Sequence, residues 1–421
     1  MTKFRVHPST LNGQIEVPPS KSQSLRAILF ASLAQGKSAI TQVLSSPDVQ
    51  AMIESCQSLG AQIHEDHGNL DIVGIAGKLP NTSLKFDAGN SGILLRFLSA
   101  VAACGHQPIT ISGDRSLCQR PMNDLVKAYQ VAGVDVTFHN KPGFAPLSVQ
   151  GPITGGSVTL DGADSQPVSA LLIAGSLCSQ KLEIHVKNPG EKPWVDVTLQ
   201  WLRKLGVNID HDSYHHYTVQ SNEIWQGFSY KVPGDWSTAA FPIAAAFVTN
   251  SSIKIENVDF QDSQGDKRIV TILEHMGADI KSLEISPNQT LQGIEVDIND
   301  CIDVLPILSV IACTAKGKTR IKNASVAKTK ECDRIACVTQ ELQKMGAKIC
   351  EHNDGVEIEG TPLHGANLNS HGDHRMAMAL VVAALGASSP STIENIDCIA
   401  KTYPRFFEDF VGVGAHIERM L

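Results

Sequence analysis

The apolar residues of this chain gather into runs too continuous for one face of a helix. Examples are Ala27-Ile28-Leu29-Phe30-Ala31-Ser32-Leu33-Ala34, Ser169-Ala170-Leu171-Leu172-Ile173-Ala174-Gly175 and Ala377-Met378-Ala379-Leu380-Val381-Val382-Ala383-Ala384. A helix that is apolar all round is buried all round. Such helices are expected to begin near Ser20, Asn90, Asp164, Asp235, Ile302 and Asp373, the first running to a stop at Gly36. Segments of another kind alternate with them: amphipathic helices that close on an apolar residue, a glycine and Ala or Val before a strand. The closing triplets are Leu59-Gly60-Ala61, Ala132-Gly133-Val134, Leu205-Gly206-Val207, Met276-Gly277-Ala278, Met345-Gly346-Ala347 and Val413-Gly414-Ala415. Glycine after a helix is the usual left-handed cap. One match carries little, but six recurring roughly every 70 residues mark six copies of one supersecondary unit. β-rich segments such as Ser252-Ile253-Lys254-Ile255 and Thr319-Arg320-Ile321-Lys322 follow the buried helices. The predicted class is α/β with a sixfold internal repeat.

At 421 residues the chain exceeds what one hydrophobic core usually serves. Three units per domain is the natural division, with a boundary near Val232-Pro233-Gly234-Asp235. The net charge of −8, with no basic tail or stripe, argues against nucleic-acid binding. No apolar run reaches membrane-spanning length. The start, Met1-Thr2-Lys3-Phe4-Arg5-Val6, lacks the apolar stretch of a signal peptide. Ten cysteines are scattered without metal-type pairs, Cys332 and Cys337 being the nearest to each other. They read as reduced thiols in a cytoplasm.

The polar residues at the buried-helix starts carry the chemistry. In Pro18-Pro19-Ser20-Lys21-Ser22-Gln23-Ser24-Leu25-Arg26, Ser20 is a cap, and Ser22 and Arg26 share a face. A helix N-terminus attracts anions through its free N–H groups and dipole. With Lys21, Ser22 and Arg26 it suits an acidic ligand, although the same residues also suit a plain capped helix with a solvated arginine. Other units offer Gly89-Asn90-Ser91-Gly92, Asp164-Ser165-Gln166, Asp303 and Asp373-His374-Arg375 at the equivalent place, while Asp235 and Ser237 read as caps. If the units pack with parallel helices, these ends share one face of each domain, and two such faces would make a cleft for a multiply anionic substrate. Loops add Arg120, Lys330-Glu331-Cys332-Asp333-Arg334 and Lys401. Glu331, set among cations, has the surroundings of a tuned acid or base. Gly36-Lys37-Ser38 and Gly317-Lys318-Thr319 imitate the end of a phosphate loop but lack its upstream glycine. His215-His216 reads as a solvated loop pair, not a metal site.

With these motifs in order, the chain resembles the 5-enolpyruvylshikimate-3-phosphate (EPSP) synthase family over nearly its whole length. The resemblance rests on Pro19-Ser20-Lys21-Ser22…Arg26, Gly89-Asn90-Ser91-Gly92…Arg96, Gly113-Asp114…Arg120-Pro121-Met122, Ser165-Gln166, Lys330-Glu331-Cys332-Asp333-Arg334, Asp373-His374-Arg375-Met376-Ala377-Met378 and Ala400-Lys401-Thr402. It implies two domains, each of three βαβαββ units in an inverse α/β barrel: residues 19–232, and 1–18 plus 233–421, joined near 18–20 and 231–235. It implies transfer of enolpyruvyl from phosphoenolpyruvate to the 5-hydroxyl of shikimate 3-phosphate, in aromatic amino-acid biosynthesis. It also implies no metal or organic cofactor, a monomer, a cytoplasmic location, and neither nucleic acid nor membrane as partner. Carried over by position, Asp303, Glu331 and Lys21 are the catalytic residues. Lys21, Gly92, Arg120, Gln166, Arg334, Arg375 and Lys401 are expected to hold phosphoenolpyruvate. Lys21, Ser22, Arg26, Ser165, Gln166, Asp303 and Lys330 are expected to hold shikimate 3-phosphate.

The chain departs from the family pattern at four places. Ile93 replaces a threonine beside Gly92, Asp164 and Glu191 replace serines near the acceptor phosphate, and Val326 replaces an asparagine. These leave open an enolpyruvyl transferase with another acceptor, or a binding paralogue without catalysis. The related transferase acting on UDP-N-acetylglucosamine carries Lys-Asn where this chain has Lys21-Ser22, and a loop cysteine where it has Arg115. RNA 3′-phosphate cyclase shares the unit but requires a nucleotide site and a basic face.

Overall fold

A computed structural model describes residues 2–220, 224–280 and 282–420. The chain forms two compact units, one of residues 19–233, the other of the residues up to Pro18 together with those from Gly234 onward. Twelve helices run in strict alternation. The odd ones are α1 (Lys21–Leu33), α3 (Gly92–Ala102), α5 (Ser165–Leu177), α7 (Trp236–Val248), α9 (Leu305–Thr314) and α11 (His374–Leu385). They are the apolar runs, and nearly all their residues are buried. The even ones are α2 (Pro47–Ser58), α4 (Asn123–Val131), α6 (Lys192–Lys204), α8 (Arg268–His275), α10 (Arg334–Lys344) and α12 (Phe406–Gly412). These keep a polar face toward solvent.

Each repeat closes a small sheet of its own, four-stranded in five repeats and three-stranded in the fourth among the described residues. In the unit of residues 19–233, Leu84–Asp87 pairs in parallel with Ile109–Ser112 across α3, and the hairpin Asp135–Phe138 and Leu147–Gln150 adds antiparallel strands. Gly156–Asp161, Leu182–Lys187, Asn208–Asp212 and His216–Gln220 repeat this around α5 and α6. The first repeat takes its parallel edge strand, Ser229–Lys231, from the far end of the unit. The core joins the odd helices to the inner sheet faces, with Phe30, Phe97, Leu172 and Leu202 fully buried.

The other unit borrows its strands from the chain start. Asn12–Glu16 pairs in parallel with Ser252–Glu256, opening the fourth repeat. Lys3–Val6 lies between Ser391–Glu394 and Ile417–Met420, closing the sixth. The fifth repeat is continuous, with Glu295–Asp297 parallel to Lys318–Lys322. Apolar alternation along these strands turns Phe4, Val6 and Ile15 inward.

Three local readings need correction. The first buried helix ends at Leu33, because Gln35 already starts the strand Gln35–Thr41 that contains Gly36. The fifth is entered through a 3-10 turn, Asn299–Val304, with α9 proper starting at Leu305. Pro306 sets that start: proline fits the first turn of a helix but not its interior. His216 is not in a loop but opens the strand His216–Gln220 beside His185.

Gly234 leads into α7 where the backbone of Asn257 crosses closely; a Cβ there would lie 1.7 Å from the Asn257 carbonyl oxygen. Backbone cannot rotate away as a side-chain end can. Gly234→Ala is expected to cost about 1–3 kcal/mol by overpacking, read as a lower thermal midpoint by calorimetry. An unchanged midpoint would show that this crossing tolerates a methyl group.

Candidate active site

In the unit of residues 19–233, three helix starts carry the expected polar groups. Ser20 caps α1, accepting from Gln23 N at 3.4 Å. This leaves Lys21 on the first turn, its Nζ 3.3 Å from Asp48 Oδ2. Arg26 is buried, yet its fork is satisfied. Nη1 donates to Ser22 Oγ at 2.6 Å, while Nε and Nη2 donate to Thr198 Oγ1 at 3.1 and 2.9 Å. Thr198 in turn donates to Ser169 of α5 at 3.0 Å. The guanidinium also lies over Phe97, 5.0 Å from its ring centre.

Gly92 opens α3 in a narrow place. A Cβ on it would stand 3.0 Å from Gln166 Oε1, 3.1 Å from Arg96 Nη1 and 3.3 Å from Arg120 Nη1. Glycine therefore leaves backbone open beside two guanidinium groups and an amide. Arg96 Nη1 bonds Gln166 Oε1 at 3.3 Å, and Arg120 Nη2 bonds Asn90 Oδ1 at 2.8 Å. Asn90 is held in turn by Asp114 at 2.6 Å. Burial lowers the Arg96 pKa, and the Arg120 charge adds to this, while Asp164 and Glu191 act against it.

The start of α5 is different. Gln166 N donates to Asp164 Oδ1 at 3.0 Å, and Ser165 N and Oγ both donate to Glu191 Oε2 at 2.9 Å. Glu191 is buried and held by a left-handed backbone, φ 45°. Two carboxylates thus occupy the free N–H groups of this helix.

In the other unit one buried guanidinium gathers the remaining candidates. Arg334, the first residue of α10, is 1% exposed. Nε donates to Asp373 Oδ2 at 2.7 Å, Nη1 to Asp303 Oδ1 at 2.6 Å and Nη2 to Glu331 Oε2 at 3.0 Å. Glu331 Oε1 pairs with Lys401 Nζ at 2.6 Å, and Asp303 Oδ2 with Arg375 Nη2 at 2.8 Å. Asp373 also caps α11 through Arg375 N at 2.8 Å. Asp303 remains 22% exposed, so a ligand can reach it. Burial alone would raise its pKa, but Arg375, Arg334 and Lys330 hold it well below the usual carboxylate range. Burial works against the charge of Arg334, and Asp373, Asp303 and Glu331 more than restore it.

The sequence therefore brings Asp303, Lys330, Glu331, Arg334, Arg375 and Lys401 into one charged network, and Gly92, Arg120 and Gln166 into another cluster. Ser22 and Arg26 are joined directly. Lys21 is placed against Asp48, and Ser165 against Glu191. Sequence reasoning missed Asp48, Thr198 and Asp266. Asp266 lies in the 3-10 turn Gly265–Lys267, fully buried, bonded to Ser237 Oγ, with its Oδ1 lacking a hydrogen-bond partner. Burial and the charge of Asp303 push its carboxyl up to about 7, against Arg375 and Ser237. The available signal was positional, since Gln264-Gly265-Asp266-Lys267 precedes α8 as Lys330-Glu331 precedes α10.

Among the described residues, three groups come close enough to share an ion: His7, His416 and Glu418; Glu183, His185 and His216; and Glu331, Asp373 and His374. In the last group the guanidinium of Arg334 and the ammonium of Lys401 already lie on the carboxylates. No helix is long and apolar enough to cross a membrane, among the described residues.

Comparison with known proteins agrees over the whole chain. The sequence profile of EPSP synthase (3-phosphoshikimate 1-carboxyvinyltransferase) matches residues 6–410. A 3-phosphoshikimate 1-carboxyvinyltransferase of Chlamydia caviae is 40% identical over 423 residues, covering 99% of this chain and 95% of that protein. One from Chlamydia abortus is 42% identical over 424 residues, with the same coverage. An EPSP synthase structure from Acinetobacter baumannii superposes with a TM-score of 0.84 at 28% identity, covering 100% of both chains.

The raised carboxyl of Asp266 has a defined pH signature. The unfolded group ionises near 3.8 and the folded one near 7. Its folded-state advantage is complete below the lower value, is lost across that window, and changes no further above it. Relative to wild type, Asp266→Asn is expected to gain thermal stability as pH rises from about 4 to about 7, then hold a constant lead. Calorimetric midpoints of both proteins across that range test it; a pH-independent difference would refute the buried, protonated carboxyl.

Proposed function

From the premise that the chain belongs to the EPSP synthase family, we propose how its side chains divide the work of that family's reaction. The enzyme is a 3-phosphoshikimate 1-carboxyvinyltransferase: it transfers enolpyruvyl from phosphoenolpyruvate to the 5-hydroxyl of shikimate 3-phosphate and releases phosphate. The hydroxyl oxygen adds to C2 while C3 gains a proton; C3 then returns a proton as phosphate leaves. This needs a base at the hydroxyl, an acid at C3 and fixed cations around the phosphate and carboxylate.

The observation that carries the assignment is the network on Arg334. Asp303 is the base and Glu331 the acid at C3, with Lys21 assisting proton transfer. In the free protein both carboxylates are tied to cations that phosphoenolpyruvate itself would claim: Arg334 and Arg375 on Asp303, Lys401 and Arg334 on Glu331. When the substrate anion takes those cations, each carboxylate loses the charge that keeps it ionised, and its proton affinity rises. Binding thereby readies both the acid and the base. Gly92, Arg120 and Gln166 complete the phosphoenolpyruvate contacts, Gly92 by letting the backbone approach. Ser22, Arg26, Ser165, Gln166 and Lys330 hold the acceptor. Because Asp164 and Glu191 occupy the N–H groups of α5, the acceptor phosphate is met by side chains. The arginines and lysines supply the positive charge, so no step calls for a metal. We place the enzyme in the cytoplasm, in keeping with ten cysteines that form no disulfide framework in the sequence, and take it as a monomer from the family resemblance.

Asp303→Asn should fold, as checked by circular dichroism, and lose about 10²-fold or more in turnover in a phosphate-release assay. Near-wild-type turnover removes Asp303 from the role of base. Run with a panel of hydroxylated acceptors, the same assay tests shikimate 3-phosphate against others.

Ile93 bears on inhibition. It follows Gly92 on the first turn of α3, with one more non-hydrogen atom than the family's threonine and no hydroxyl. The turn must adjust toward the crowded side where Gln166, Arg96 and Arg120 already stand near the Gly92 Cα. Compact phosphoenolpyruvate is accommodated, whereas glyphosate, the longer phosphonate that inhibits the family, is disfavoured. Weak glyphosate inhibition is expected, and Ile93→Thr should strengthen it. Half-inhibition of the natural enzyme at the concentration that half-saturates its phosphoenolpyruvate site contradicts the steric account.

A further inference from the structure

Two thiols meet at the start of α10, beside the network just described. Asp333 is the N-cap, its side chain accepting from Ala336 N at 3.1 Å, and Cys337 N bonds Asp333 O at 2.8 Å. Cys332 is therefore the residue before the cap, and Cys337 the fourth helical residue. Side chains at those two positions touch across the first turn, as in a hydrophobic staple. Here both are cysteines, and each acts on the ionisation of the other. Both are partly exposed.

The charge of His371 also acts on Cys337, and its Nε2 lies 2.8 Å from Glu341 Oε1. Glu341 is buried and fixed by Lys344 Nζ at 2.8 Å and by Asn369 N at 3.0 Å. Thiol, imidazole and carboxylate form a chain in which the carboxylate orients and charges the ring. Cys337 and Glu341 raise His371 to about 9 against burial. Cys332 and then His371 bring Cys337 down to about 6, against burial and Asp333. Cys332 is pushed the other way by the Cys337 thiolate, by burial and by Asp373, to whose Oδ2 it donates at 3.8 Å. One thiol is thus the nucleophile and its neighbour is protonated and in reach.

We propose that Cys332 and Cys337 are a peroxide-reactive pair that closes to a disulfide and so switches off the adjoining active site. The Cys337 thiolate attacks a peroxide oxygen, the O–O bond breaks, and the departing hydroxide takes the His371 proton and leaves as water. Cys337 becomes a sulfenic acid. It no longer holds Cys332 protonated, so Cys332 sulfur attacks the Cys337 sulfur. The S–S bond forms, the S–O bond breaks, and hydroxide leaves with the Cys332 proton as a second water. Two thiols are oxidised and one peroxide is reduced to two waters. The new bond constrains the backbone next to Glu331 and takes the Cys332 thiol from Asp373, the carboxylate that holds Arg334. Loss of activity rests on the catalytic reading above; the thiol chemistry does not.

The test uses the full chain. Iodoacetamide at pH 6 should modify Cys337 at least about tenfold faster than the exposed Cys350, since the thiolate is the reactive form. Hydrogen peroxide, followed by blocking and peptide mapping, should give a Cys332–Cys337 disulfide. Phosphate release should fall about tenfold or more and return with dithiothreitol. Cys332→Ala should form no disulfide and instead carry a sulfenic acid at Cys337 that dimedone captures. His371→Gln should slow the alkylation of Cys337. Alkylation of Cys337 no faster than Cys350, or peroxide linking other cysteines, overturns the pair. Full activity in quantitatively disulfide-linked protein overturns the switch and leaves only the chemistry.

Discussion

A guanidinium removed from water must find anions, and Arg334 finds three. At 1% exposure it has no solvent to fall back on. Removing one partner of a buried pair leaves an uncompensated charge, which is far more costly than the pair is favourable. Asp373, Asp303 and Glu331 are therefore held in place as firmly as Arg334 itself. Arg375 and Lys401 follow, because each shares a carboxylate with it. Four cations, counting Lys330, face three carboxylates, while Asp266 is pushed toward its neutral form. The cluster carries an excess of positive charge, the condition for receiving a phosphate or carboxylate.

In the unit of residues 19–233 the buried arginines bond hydroxyl and amide groups as well. Arg26 is as deeply set, but it is met by Ser22, Thr198 and the face of Phe97. Arg120 likewise bonds the amide of Asn90, and the anion Asp114 is one step further away. In the other unit Arg334, Arg375 and Lys401 are held by internal carboxylates, from which a ligand anion must release them.

What could be read from the chain was whatever repeats or stands in a row. Six glycine-closed turns gave the six repeats, and the odd helices follow from runs such as Ala377–Ala384. Arg334 and Lys401 could be named from their loops. Glu331, three residues from Arg334, could be read from the same loop, but Asp303 and Asp373 could not, because they reach Arg334 from separate elements. Strand exchange was equally hidden. Nothing within Ser229–Lys231 says that it edges the sheet of Gln35–Thr41, since a three-residue strand has no pattern of its own. Asp266 escaped notice because an aspartate before a helix usually reads as a solvated cap. Only its burial, and its place behind Asp303, distinguish it. Cys332 and Cys337 were noticed as the closest pair in sequence, but the staple geometry that brings them together needed Asp333 fixed as the cap.

The six equivalent helix starts are sorted by their caps. α5, α7 and α11 are capped by Asp164, Asp235 and Asp373, whose negative charge offsets the positive end of the helix dipole. A further anion gains little at such an end. Asp373 uses its remaining oxygen on Arg334, so there the cap serves to hold a cation. α1 and α3 are capped by Ser20 and Ser91, which satisfy an N–H without cancelling the dipole. They retain the attraction for anions that the three aspartate-capped ends have lost, and their first residues are Lys21 and Gly92. At five of the six repeats a single residue type at one position thus sets the character of the helix end, serine leaving the dipole open to an anion and aspartate offsetting it.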